Sequence, residues 1–352
     1  MPLLFAACAS LGAMGAWLIA GMPFREHLLD MPNGRSAHTT PTVRGGGVGI
    51  LAAFIVAGLT LRLPTTFLFA VIFLSAASFY GDYLRISVQF RLIVQLIAVL
   101  MCLFPLLPRL SENFALSAFG LPPLIFILIF SLPLIFLFLM GTANFYNFMD
   151  GINGIAGVTG IVGYGLITLY YYQYLHVSMT PVSGFAILAA SMAFSCLGFL
   201  PFNMPKARVF MGDVGSILLG FVFAGVIVWL SRNFLDLTCM ASFLFLFYVD
   251  AFTTMWVRLR DREKLTEPHK RHLYQLLANE FHIPHWKVTM LYGLVQLVIG
   301  FSVIFVRHYG PAMVLLLLTF YFIVFTLISL YVRRKLLPGS ETLADQNNRF
   351  SG

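Results

Sequence analysis

Eleven runs of about twenty apolar residues, separated by short polar stretches, constrain this chain more than any other feature. They lie near 3–22, 45–61, 65–80, 89–107, 122–141, 155–174, 182–200, 215–231, 239–257, 288–306 and 311–332. A run of that length is what a helix needs to cross hydrocarbon. Inside lipid only helices or closed barrels satisfy their own backbone groups, and continuous runs predict helices. Of 352 residues, 59% are hydrophobic and 10% charged. That composition leaves too little polar surface for a soluble domain of this length. The expected fold is all-α: one polytopic membrane domain over residues 1–352, with about eleven transmembrane helices. The first run has no Lys or Arg before it and is followed by Arg25, which predicts a retained span rather than a cleaved signal peptide.

The basic residues predict an orientation. With the N-terminus outside, the inner segments hold 18 Lys and Arg and the outer segments hold 4, namely Arg62, Arg109, Arg232 and Arg307. This bias predicts a periplasmic N-terminus and a cytoplasmic C-terminus, the parity that an odd number of spans requires. The net charge of +8 then lies mostly on the inner face. It serves to set topology, and it also suits anionic headgroups or a phosphorylated substrate. Nucleic acid is not an expected partner. The four cysteines, Cys8, Cys102, Cys196 and Cys239, sit in or at apolar runs without a CxxC pair, so neither disulfides nor a thiolate zinc site is expected.

The inner connections carry the unusual residues. The first runs from Asp30 to His38 and on to Thr40-Pro-Thr-Val-Arg-Gly-Gly-Gly47. Arg44 followed by three glycines at a helix start reads either as an anion-binding concavity or as a turn whose glycines permit close packing. The second, Gly81–Ser87, contains Asp82, which alone reads as a helix-end acid paired with Arg85 or Arg91. The third, Asn144–Gly157, places Asn144, Asn147, Asp150 and Asn153 at three-residue steps. Its oxygens suit magnesium, which binds one or two carboxylates together with substrate phosphates; the bland reading is an Asx-turn at Asn153. The fourth holds Asn203, Lys206 and Arg208, then Asp213 between Gly212 and Gly215. That acid reads as a ligand of a metal-bridged diphosphate or as a helix N-cap. The fifth is basic, Glu267-Pro-His-Lys-Arg-His-Leu-Tyr-Gln275. Its His269, Arg271 and His272 suit hydrogen bonds to phosphate or sugar better than zinc, which would need a third ligand. Asp250, in an apolar run, either pairs with Arg258 or faces the interior; no role is legible. Acids beside a bilayer are costly unless paired, hydrated or metal-bound, so Asp150 and Asp213 mark a polar site at a membrane surface. Polar residues on one side only fit a membrane enzyme better than a channel.

Taken together, in this order, the five segments resemble the polyprenyl-phosphate N-acetylhexosamine-1-phosphate transferases, glycosyltransferase family 4. The histidine segment is most similar to the subgroup that initiates O-antigen synthesis. The resemblance implies transfer of a sugar 1-phosphate from a UDP-N-acetylhexosamine to undecaprenyl phosphate, releasing UMP, in lipopolysaccharide or related cell-wall biogenesis. It places the protein in the bacterial inner membrane with its site on the cytoplasmic face. It implies magnesium, or manganese in its place, with Asp213 as the main ligand and Asp150 as a second. Asp82, Asp150 and Asp213 are the implied catalytic acids. Arg44, Asn144, Asn147, Asn153, Asn203, His269, Arg271 and His272 are the implied substrate-binding residues. A homodimer is compatible with this reading. Two positions depart from the family pattern: Gly81 stands where the first acid of an Asp-Asp pair is expected, and Asn153 where an Asp is expected. The rival readings are a multispan transporter or lipid-binding protein, and a weakened or idle family member.

Overall fold

A computed structural model describes residues 1–21, 28–31, 40–84, 87–106, 131–175, 181–264 and 269–336. The outer stretch near 108–121, Arg85 and His38 lie outside them. Among the described residues the chain forms thirteen α-helices. They are α1 Pro2–Gly21, α2 Val48–Thr60, α3 Thr65–Leu84, α4 Val88–Leu103, α5 Leu132–Phe148, α6 Ile155–Tyr170 and α7 Pro181–Asn203. There follow α8 Asp213–Leu230, α9 Phe234–Ala241, α10 Phe245–Arg260, α11 Leu273–Asn279, α12 His285–Val306 and α13 Pro311–Lys335.

Eight segments are helical, long enough and apolar enough to cross a membrane, and α2, most of α4 and α5 are shorter apolar helices. Each of the eleven expected runs therefore coincides with helix among the described residues. The run expected at 239–257 is built differently from a single helix: α9, a short 3-10 turn at Ser242–Leu244 and α10 continue one another from Phe234 to Arg260.

Packing is graded from centre to rim. In α8, 89% of the apolar window is buried, against 28% for α1 and 17% for α13. A helix that is apolar all round belongs in an interior, and one left apolar and uncovered belongs against lipid. Close approach to α8 depends on small residues: a Cβ at Gly220 would meet Thr142 O at 2.6 Å, so α5 and α8 touch backbone to backbone. At the C-terminal end of α8 a polar clamp holds the neighbouring helices. Buried Asp236 accepts from Tyr170 Oη and Arg307 Nη2, both at 2.7 Å, and the Arg307 guanidinium lies over the Tyr174 ring.

The all-α expectation holds, and one two-stranded strip accompanies the helices. Leu29–Asp30 (β1) pairs antiparallel with Thr42–Val43 (β2), and Val43 bridges Val209 in parallel. Phe210 N–H donates to Val43 O at 2.8 Å, and the N–H groups of Gly46 and Gly47 donate to Phe210 O and Met211 O at 2.9 Å. This strip draws the segment before α2 against the segment before α8. Both helices then start side by side, where a Cβ on Gly47 would stand 2.4 Å from Gly215 Cα.

Candidate active site

The strip settles what the three glycines do. Two of their amides are spent on the chain before α8, and Val48 N–H donates to Gly45 O. The anion-binding concavity is therefore set aside, and the glycines serve backbone contact. Gly212, at φ +73°, turns the chain just ahead of α8, and a Cβ there would fall 2.9 Å from Asp82 Oδ2.

That turn decides how Asp213 stands. It opens α8, and its backbone N–H, one of the helix's free N-terminal donors, donates to Asp82 Oδ2 at 2.8 Å. Its own carboxylate does not cap the helix. Oδ1 accepts from Asn147 Nδ2 at 2.9 Å, and Oδ2 is ion-paired with Arg91 Nη1. The Asn147 amide also donates to Ser216 Oγ at 2.9 Å. Arg91 therefore pairs with Asp213 and not, as expected, with Asp82. Arg44 pairs with Asp30 at 2.6 Å. Burial works against its charge, but Asp30, Asp82 and Asp213 outweigh that and hold its pKa above the ordinary value.

Asp150 follows the last turn of α5 and is partly exposed. Among the described residues its carboxylate has no side-chain hydrogen-bond partner. Burial first, then repulsion from Asp213 and to a smaller extent Asp82, push its pKa up to about 7, with Arg44 opposing. Asp82, Asp150, Asp213, Asn147, Arg44 and Arg91 thus share one electrostatic neighbourhood at the N-terminal end of α8.

The remaining asparagines brace this arrangement rather than line it. Asn144, one turn before Asn147, exchanges two hydrogen bonds with buried Gln95 (2.7 and 3.2 Å) and donates to Met140 O. Asn203 accepts from Gly154 N–H at 2.7 Å and donates to Val209 O at 2.9 Å, tying the Asp150 loop to the Asp213 loop. Asn153 donates to Pro205 O, and its carbonyl accepts from Thr289.

The histidine loop docks against the Asp150 loop through Tyr274. That hydroxyl donates to Phe148 O at 3.0 Å, and a Cβ on Gly151 would lie 2.2 Å from it. The His272 ring stacks on Tyr274 at 5.7 Å, and the His269 ring packs against His272 at 4.9 Å. Burial, with the neighbouring His272 and Arg258, lowers His269 to about 4, so it is neutral at pH 7. Its Nδ1 accepts from Arg271 N–H at 3.3 Å, which leaves Nε2 to carry the proton and donate. Arg271 forms ion pairs with Asp261, at 2.8 Å, and with Glu263.

One residue that the sequence left without a role organises this loop. Arg258 pairs with Glu263, so Asp250 is not its partner. Asp250, fully buried, accepts from Leu273 N–H at 2.8 Å, Tyr292 Oη at 2.8 Å, Thr254 Oγ1 at 3.2 Å and Tyr274 N–H at 3.4 Å, and stands 3.6 Å from His272 Nδ1. It caps α11 from across the bundle. An acid inside an apolar run was the available signal, since such acids are rare unless they do something.

Among the described residues, no three His, Cys, Asp or Glu side chains are grouped closely enough to hold a metal unaided. The donors that do gather are hard oxygens, without thiol or imidazole among them. That set fits magnesium, which takes one or two carboxylates and completes its shell with water and phosphate oxygens.

Residues 64–231, which include Asp82, Asn147, Asp150 and Asp213, match the model of glycosyl transferase family 4. The match spans just under half of the chain and shows what this region is similar to. It is similar to the phospho-N-acetylmuramoyl-pentapeptide-transferase of Staphylococcus saprophyticus, with 36% identity over 121 residues, 32% of this chain and 36% of the relative. The enzyme of the same name from Staphylococcus aureus strain JH9 is 32% identical over 143 residues, 38% of this chain and 41% of the relative. That of Staphylococcus epidermidis is 32% identical over 120 residues, covering 32% and 34%. The similarity thus spans well under half the length of these curated relatives.

Proposed function

We propose that this protein transfers a sugar 1-phosphate from a UDP-N-acetylhexosamine to undecaprenyl phosphate, releasing UMP, at the cytoplasmic face of a bacterial inner membrane. The observation that carries this reading is the gathering of Asp82, Asp150 and Asp213 with Asn147, Arg44 and Arg91 where α8 begins. In the proposed step, an oxygen of the lipid phosphate bonds to the sugar-bearing phosphorus. The bond from that phosphorus to the UMP oxygen breaks.

Held by Asp213 and Asp150, magnesium would neutralise the diphosphate and the departing UMP. Asn147 keeps the Asp213 carboxylate aimed. Asp82 fixes the start of α8 by accepting the Asp213 N–H. Neutral His269 offers Nε2–H to a sugar or phosphate oxygen, and Arg44 attracts the anionic donor without entering the reaction. The His269–His272 segment supports an O-antigen or related surface polysaccharide pathway, and the apolar helices are the basis for expecting a lipid acceptor.

The test is UMP release by the purified protein given undecaprenyl phosphate, magnesium and a panel of UDP-N-acetylhexosamines, with UDP-N-acetylmuramoyl-pentapeptide alongside. Release with an N-acetylhexosamine donor supports the full reading. Release with the pentapeptide donor alone moves the protein to the peptidoglycan branch. No release with any donor rejects the reading in favour of an idle relative or a non-enzymatic protein.

A further inference from the structure

Arg91 reaches the acid cluster from the first turn of α4, a helix capped by Ser87, whose Oγ accepts from Phe90 N–H at 3.3 Å. Its ion pair with Asp213 joins residues 122 positions apart, and the two side chains are only 35% and 16% exposed. Of the two arginines near the cluster, Arg44 is already committed to Asp30. Arg91 is therefore the cation that balances Asp213 directly.

What faces Arg91 on its other side is Gly81. A Cβ built there would stand 3.6 Å from Arg91 Nε and 3.8 Å from Nη2. That is ordinary van der Waals contact, so a side chain at position 81 would lie directly against the guanidinium. Position 81 offers no carboxylate, and the neighbouring Asp82 carboxylate is turned to the Asp213 N–H instead. The guanidinium accordingly settles on Asp213.

We propose that Arg91 is a resident counter-ion of Asp213 which a divalent cation must displace, and that the glycine at position 81 is what leaves it there. This rests on the reading of Asp213 as a metal-holding carboxylate. The physics is competition for one oxygen: a guanidinium and a dication cannot share Asp213 Oδ2 at contact distance without mutual repulsion. Metal affinity is therefore lowered by whatever the ion pair is worth. The displaced guanidinium stays tethered beside the site without its acid, free to fork onto a phosphate oxygen of an incoming diphosphate. Metal and nucleotide then favour each other's binding, because each supplies what Arg91 or Asp213 would otherwise have lost.

The experiment measures Mn2+ binding to the full-length protein in detergent by electron paramagnetic resonance, without substrate or turnover, at one pH and ionic strength. Wild type is compared with Arg91→Gln, Gly81→Asp, Asp213→Asn and the double variant Arg91→Gln/Asp213→Asn. Arg91→Gln is expected to tighten Mn2+ binding by roughly two- to fivefold, the range of a partly exposed ion pair. In the Asp213→Asn background the Arg91 substitution changes nothing. Gly81→Asp recruits the guanidinium away from Asp213 without removing it, so it also tightens binding, and it serves where Arg91→Gln does not fold. Binding to Arg91→Gln that is unchanged or weaker, while Asp213→Asn loses Mn2+, overturns the counter-ion proposal alone. Unchanged binding to Asp213→Asn removes the metal from Asp213 and overturns both readings.

Discussion

Asp250 offers the sharpest test of how the bundle holds its histidine loop. Replacing it with Ala strips the acceptor from two well-formed buried hydrogen bonds, those from Leu273 N–H and Tyr292 Oη, and from two weaker ones. A hydrogen bond to a charged group is worth about 1.5–3 kcal/mol, and a buried donor left without a partner costs about as much as the bond it lost. Two such losses sum to about 4 kcal/mol, in the range for removing one partner of a buried charge. The Asn variant keeps one oxygen for Leu273 N–H, and the Tyr292 hydroxyl can rotate to accept from the new amide, so its cost is about 1–2 kcal/mol. An unfolding entropy of roughly 2.1 cal/mol/K per residue over 352 residues gives about 0.7 kcal/mol per degree. The Ala variant should then unfold about 5 °C lower than wild type in a detergent-solubilised thermal scan, with Asn between them. The loss is local before it is global, so proteolytic cleavage near residues 261–272 should rise in the same order. If the Ala variant melts within a degree of wild type and resists protease equally, the carboxylate is not what holds α11, and the bracing argument is wrong.

Asp150 gives a pH signature. Its carboxyl is raised from the ordinary value near 3.8 to about 7. The folded chain therefore keeps a proton that the unfolded chain has released. Stability is unaffected below about pH 4, falls between pH 4 and 7, and stays lowered above 7. In metal-free buffer, thermal scans at pH 5 and pH 8 should differ less for Asp150→Asn than for wild type. Asp213→Asn and Asn147→Ala should lower UMP release, the first on the order of 100-fold or more, with little change in melting temperature. Gly47→Ala forces a Cβ to 2.4 Å from Gly215 Cα, and should cost about 3 kcal/mol, read as lost yield and a lower melting temperature.

The apolar runs were legible because lipid leaves a chain few options: each had to be helix, and the described residues agree. Asp150 and Asp213 stood out because acids flanked by glycines at the ends of such runs have few structural uses, and the fold brings the two within electrostatic reach of each other. The glycines after Arg44 were not, since the same string serves an anion or a close backbone contact. The deciding neighbour, Gly215, is remote in sequence. Nor was the partner of Asp213, which lies 122 positions away on another helix. Asp250 was visible as an anomaly, but its meaning depends on α11 folding back beneath α10 and α12. Asn144 and Asn203 were picked out by type, and only their neighbours reveal that they brace loops.

The sheathing of α8 carries a consequence for biogenesis. A span with almost no bare flank cannot occupy its final place until its neighbours exist to surround it. The helices that chiefly enclose it, α2, α3, α5 and α7, all precede it in the chain, so it meets them already inserted. Asp213 then finds Asp82, Arg91 and Asn147 waiting as α8 arrives. A chain truncated before α12 should insert into the bilayer and still assemble the acid cluster, while lacking the bracing of its histidine loop.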